Sequence, residues 1–542
     1  MQSSLLENIP KNVSAKLYLY ENGKEIGSRR VLSPSALLGL TLVLPRSLGI
    51  TAARLTLTSE GGEPLLVQSL SLIEWAGDSE AWGALLEPLP SAAMPLCHLH
   101  IVVECPPYRL YGRMDEDGEF TLCRDERCER AVSLLLLSEC ELCAPLGGGS
   151  LYCLPEEAAA QMSVGDADSL FFTLSSLGVR GVYLCPTPKG GARGPGEDPS
   201  TPRPRAFISA ARERGLCVLA DFLLLLGVTE HPDLLFGGFC SPSSPHAPIE
   251  EEPRPAFWEL PLAPREASEG SLAEYCGEDG VIAEALSFGY NGLVVRAADC
   301  FGDAFLSALR WALKEAENPL LLGATEAGGV SIAFGARRRF FFGDELDAPI
   351  SYALRTALLD FFLGKRTERL ACYCHATLAS LPPRALASIP NLLSDGALGY
   401  FDDALATAIC DPTPYVELAY LVAATLPGVP AYFAGEEARA TATLRHLALL
   451  RRKEPTYENG GFRLLHLSPT LFAFAREGEG ESLVTLVNSS DAPLTVCSPD
   501  EFFVIYGGRG RKQRVTLRPH GGAVLKIPLW TGESCRLDFS HT

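Results

Sequence analysis

The chain has 542 residues, 47 % hydrophobic and 21 % charged, with a net charge of −20 from 46 basic and 66 acidic side chains. That length asks for two or three domains. That charge argues against nucleic acid or an anionic membrane as the main partner, while a neutral ligand such as a sugar fits. The N-terminus shows no basic stretch followed by an apolar core, so no secretory signal is read there. The apolar runs at 132–137 and 222–228 fall far short of the roughly 20 residues a bilayer needs. A soluble, cytoplasmic chain is expected, its 17 scattered cysteines present as free thiols.

Residues 1–128 read as antiparallel β and predict a β-sandwich. Lys16–Tyr20 and Arg54–Thr58 alternate with period two, and Asn22-Gly23, Gly61-Gly62 and Asp117-Gly118 supply turns. His98 and His100 share one face of a further strand. With no third ligand nearby, that pair reads as a solvated sheet face rather than a metal site. Cys123, Cys128, Cys140 and Cys143 form two pairs. Their spacing only approximates a zinc knuckle, and the apolar run between them reads as a strand that holds the pairs apart, so incidental thiols are expected and no metal.

Residues 129–455 alternate strand and helix. Strands are expected at 132–137, 179–185, 216–222, 292–296, 319–323, 339–343, 389–393 and 429–434. In the helix expected over 303–317, Leu306, Leu309 and Leu313 fall on one face. Another runs over 351–363, from a Ser351 cap to a stop at Gly364. Eight alternations predict an α/β fold, a (β/α)8 TIM barrel. Segments 186–204 and 237–255 read as loops. Residues 456–542 return to β, with Leu471–Arg476 pairing Leu483–Asn488, and predict a C-terminal β-sandwich.

Three stretches carry a resemblance. The first is Leu421-Val-Ala-Ala-Thr-Leu-Pro-Gly-Val-Pro-Ala-Tyr-Phe-Ala-Gly-Glu-Glu437. The second is Phe342-Gly-Asp-Glu-Leu-Asp with Leu354-Arg-Thr-Ala-Leu-Leu-Asp-Phe361, and the third is Leu471–Asp491. Together they resemble the neopullulanase and cyclomaltodextrinase branch of glycoside hydrolase family 13, the α-amylase family. The resemblance implies a barrel with a carbohydrate-binding-module-like domain before it and a sandwich after it. It also implies α-glucan substrates and no cofactor. These are packing motifs, and fold alone does not carry function.

The family's chemistry needs a nucleophilic carboxylate and an acid/base carboxyl about 5 Å apart at the C-terminal ends of barrel strands. Set against the family's fourth-strand motif, Gly289-Tyr-Asn-Gly-Leu-Val-Val-Arg-Ala-Ala-Asp299 puts Val294 at the family arginine and Arg296 at the nucleophile. A guanidinium cannot form a glycosyl ester. In Leu320-Leu-Leu-Gly-Ala-Thr-Glu326 the acid/base position becomes Ala324. In Asn391-Leu-Leu-Ser-Asp-Gly-Ala397 the sugar-binding histidine becomes Gly396 and the third acid becomes Ala397. On the third strand Asp221 survives, while the family's Asn and His become Leu225 and Leu226.

Asp299, Glu326 and Asp395 stand near the lost positions. One reading slides them into a working trio. However, a two-residue shift along a strand moves a side chain about 6–7 Å, and catalytic geometry tolerates about 1 Å. The other reading makes them loop acids. Arg296 either binds an anionic group or pairs with Asp221, Glu326 or Asp344, and Asp221 is either a mouth residue or part of that pair. Glu436 and Glu437 read as structural. Trp258, Tyr290, Tyr400 and Phe401 either stack on sugars or pack. The leading expectation is an α-glucan-linked pseudo-enzyme that binds glucan or maltooligosaccharide, or regulates or scaffolds an active relative, as a homo-oligomer or mixed oligomer. The alternatives are an active α-glucan hydrolase or transglycosylase with relocated acids, and a protein-interaction module with no sugar binding.

Overall fold

The computed structural model describes residues 12–26, 31–32, 36–59, 63–87, 96–114, 120–129, 131–136, 146, 148–185, 204–222, 276–278, 280–295, 298, 303–313, 320–324, 345–350, 352–364, 366–379, 386–387, 389–394, 399–478, 480–511, 513–528 and 538–540. The chain divides into two compact units, residues 1–141 with 375–382, and the remainder.

The first unit is a mainly antiparallel sheet system around one apolar core. Its organising strand is Pro64–Ala76. The first half pairs with Ala52–Ser59 (Ala53 opposite Leu70), and the second half pairs with Ser79–Leu86 (Ser71 opposite Gly83), so one strand serves both parts of the sheet. The alternation read in Arg54–Thr58 is seen directly: Leu55 and Leu57 are fully buried while Arg54 is exposed. Cys123 donates to the Tyr111 carbonyl at 3.3 Å and Cys128 is exposed, while Cys140 and Cys143 lie outside the described residues.

One strand assignment needs correcting. Val132–Leu136 is not the first barrel strand: it pairs antiparallel with Leu96–Cys105 and parallel with Val31–Leu32, inside this first unit. A short, mostly apolar run suits the centre of either kind of sheet, and period alone cannot separate them.

The barrel's first strand is β1 (Ser150–Pro155). It is followed by β2 (Val179–Cys185), β3 (Cys217–Asp221), β4 (Gly292–Val295), β5 (Leu320–Ala324), β6 (Ala348–Ile350), β7 (Pro390–Leu392) and β8 (Val429–Phe433). The expected strand at 339–343 lies outside the described residues, and the sixth strand begins a few residues later. The order is β6-β5-β4-β3-β2-β1-β8-β7, every neighbour parallel, with β6 and β7 adjacent but without a ladder. The result is a nearly closed eight-stranded barrel. A side chain at Gly292 would run into Leu219 and the Leu320 carbonyl, so glycine there lets three strands close up.

Helices cover the sheet. In α1 (Asp303–Leu313) the stripe Leu306, Leu309 and Leu313 is buried as expected. The helix α2 (Tyr352–Phe362) ends before Gly364 in the left-handed region; Ser351 lies outside the described residues. The helix α3 (Thr413–Thr425) is buried almost all round, because β8 flanks it on one side and the C-terminal strands Glu481–Asn488 and Gly521–Pro528 on another. Its C-terminal carbonyls have no intrahelical partner. Two buried arginines supply donors there. Arg451, from α4 (Thr441–Lys453), donates to the Ala424 and Gly428 carbonyls at 2.7 and 2.9 Å. Arg476 donates to the Thr425 carbonyl at 3.4 Å and to the Gly460 carbonyl at 2.8 Å.

The C-terminal strands form two antiparallel sheets over a shared core. Leu471–Glu477 pairs with Glu481–Asn488, Phe474 opposite Thr485, as expected. Leu471, Ala473 and Ala475 join that core, while Phe472 meets Phe361 of α2 at 6.1 Å.

Candidate functional site

In a barrel of this kind the strands' C-terminal ends carry the chemistry. β3 ends at Asp221, which is 2 % exposed. The next residue, Phe222, packs its ring against Phe305 of α1 at 6.0 Å, on the helix side. Alternation therefore turns Asp221 to the barrel interior. There the Tyr183 hydroxyl of β2 donates to its carboxylate at 2.6 Å. The register puts Tyr183, Asp221, Val294 and Leu322 on that same inner face. Val294 is fully buried, and an isopropyl group cannot orient a carboxylate. β5 ends at Ala324, opposite Ile350, and a methyl group carries no proton to a leaving oxygen. Arg296, Asp299, Glu326, Asp344, Asp395, Gly396 and Ala397 lie outside the described residues, as do Leu225, Leu226 and Trp258.

The ends of β7 and β8 hold a second constellation. Glu436, 1 % exposed, accepts from the Phe433 amide at 2.8 Å and from the Ser394 and Tyr420 hydroxyls. Ser394 in turn accepts from the Phe401 amide at 3.0 Å. Burial pushes the Glu436 carboxyl up to about 7, with these donors pulling the other way. Glu437 accepts from the Tyr152 hydroxyl at 3.1 Å and the Gly435 amide at 2.9 Å. Both glutamates tie β8 to its neighbours, in keeping with a structural role. Asn391 of β7, fully buried, donates to the Ala423 and Pro427 carbonyls, each at 3.0 Å.

Of the candidate stacking aromatics, Phe401 and Tyr290 are buried in the core. The Tyr400 hydroxyl donates to the Ala434 carbonyl at 2.8 Å, and the Arg439 guanidinium lies 3.9 Å from its ring centre. All three serve packing here. Tyr183, Ser394 and Tyr420 escaped sequence reasoning. The available signal was a lone phenol or hydroxyl at the end of an apolar strand, or within an apolar helix. Among the described residues no group of three His, Cys, Asp or Glu is placed to hold a metal ion. No helix among them is long and apolar enough to cross a membrane.

No family model matches the chain, and no curated protein matches it in sequence. Solved structures do. The type III pullulan hydrolase from Thermococcus kodakarensis aligns at 17 % identity over 91 % of this chain and 98 % of its own, with a TM-score of 0.51. A cyclomaltodextrinase aligns at 14 % identity over 91 % and 97 %, with a TM-score of 0.53. The α-amylase from Geobacillus thermoleovorans, solved with acarbose, aligns at 14 % identity over 71 % and 99 %, with a TM-score of 0.51.

Proposed function

Since the chain has the fold of glycoside hydrolase family 13, on its neopullulanase and cyclomaltodextrinase branch, we propose that it is a pseudo-enzyme of α-glucan metabolism. In this reading it binds glucan or maltooligosaccharide weakly at the strand ends, or regulates or scaffolds an active relative, and it does not hydrolyse. The observation that supports the reading is the residue types at the ends of β4 and β5, a buried Val294 and Ala324, which the resemblance sets at the family's arginine and acid/base positions. Two further points support it. Asp221 already accepts from Tyr183, and Glu436 and Glu437 are engaged by donors of the scaffold. An acarbose complex of a structural relative makes an oligosaccharide the natural first ligand to test.

The test is reducing-sugar release from maltooligosaccharides, pullulan and cyclodextrin, with calorimetry on the same sugars. We expect no turnover from the natural chain and at most weak heats. Turnover that falls on Asp299→Asn or Glu326→Gln refutes the reading and puts the acids back in use. No turnover and no heat with any of these sugars leaves the regulatory or scaffolding role.

A further inference from the structure

A groove of about 980 Å³ lies away from the strand ends, between α3, α4 and the C-terminal sheet. Leu418 and Leu421 of α3, Leu449 and Leu450 of α4, and Ile505 and Leu517 of the sheet supply its apolar walls. Leu449 stands 42 % exposed in it. The sheet comes this close to α3 because Gly522 has no side chain: a Cβ there would run into Leu421 and sit 3.1 Å from Leu418. The volume falls within the range of small-molecule sites, which pair apolar walls with a few polar groups.

The rim has one sign in excess. Lys453 and Arg518 line it, beside His446 and His520, with a single acid, Glu417. His520 is matched by Asp491 at 2.8 Å, and Arg518 reaches Glu417 only at 3.8 Å. Among the described residues no ion pair engages Lys453 or His446, although the whole chain carries a net charge of −20. A cationic rim maintained on an acidic protein, above apolar walls, favours a ligand with the opposite charge and an apolar body.

The geometry points to a binding site in this groove for a small organic anion with an apolar body, such as an aryl or alkyl sulfonate, carboxylate or phosphate ester. Its apolar part lies on Leu418, Leu421 and Leu449, and its charge faces Lys453 and Arg518. The inference is independent of whether the barrel hydrolyses anything.

The test is a fluorescence titration of the full chain with 1-anilinonaphthalene-8-sulfonate and its uncharged analogue N-phenyl-1-naphthylamine. One saturable site is expected, about tenfold weaker for the uncharged probe. Affinity for the sulfonate falls about tenfold in K453E/R518E, holds in K453R/R518K, and weakens with added salt. Leu449→Asp weakens both probes. Trp75 in the first unit is 61 % exposed and offers the dye an alternative apolar surface. Trp75→Ser leaves the titration unchanged if the groove is the site. The proposal is overturned if no saturable binding occurs, if K453E/R518E binds like the parent, or if Trp75→Ser removes the signal.

Discussion

Replacing Glu436 by glutamine tests the clasp between β7 and β8 directly. The parent carboxyl is raised from its ordinary 4.5 to about 7, chiefly by burial. A raised acid binds more protons folded than unfolded between those values, so its contribution to stability is complete below about pH 4.5 and is lost as pH rises through about 7. A shift of that size corresponds to at most about 3 kcal/mol. Glutamine has the same shape, still accepts from the Phe433 amide, and stays neutral at every pH. Glu436→Gln is therefore expected to match the parent near pH 5 and to exceed it near pH 8 by up to about 3 kcal/mol. The chain is multidomain, so a single melting temperature is a poor readout. Hydrogen exchange of the Phe433 amide, mutant against parent at each pH, reads the clasp locally. Equal mutant–parent differences at pH 5 and pH 8 would show that the carboxyl does not change charge across that window, and the reasoning would fail.

Arg476→Ala removes donors from the Thr425, Gly460 and Gly461 carbonyls and is expected to cost about 3 kcal/mol, seen in guanidinium unfolding. Arg476→Lys should restore little, because an ammonium cannot span those carbonyls. Asn391→Leu strips donors from the Ala423 and Pro427 carbonyls and should cost about 2 kcal/mol in the same assay. Tyr183→Phe deletes one donor to Asp221, at an expected cost of about 1–2 kcal/mol; a variant as stable as the parent would refute that bond.

Much of the architecture was legible because local pattern encodes it. Alternation in Arg54–Thr58 and the stripe Leu306, Leu309, Leu313 each survive as buried faces. One strand was misplaced because local pattern does not name its partners. Val132–Leu136 is apolar but for Ser133 and fits a central strand of either sheet, so its neighbours Leu96–Cys105 and Val31–Leu32 decide where it belongs. In the site, Asp221 stood out as an acid at the end of an apolar strand, whereas Tyr183 looked like one more aromatic in an apolar strand.

What the sequence by itself determined is the chemistry that each side chain can offer. An alanine at 324 and a valine at 294 exclude proton transfer and carboxylate pairing whatever surrounds them, because that chemistry belongs to the side chain. Only the tertiary structure decided which groups meet. Tyr152 reaches Glu437 across 285 residues of sequence, Ser394 reaches Glu436 across 42, and the groove draws its walls from two helices and a sheet. Hydrogen bonds and burial act through distance in space, and no local pattern in the chain carries that distance.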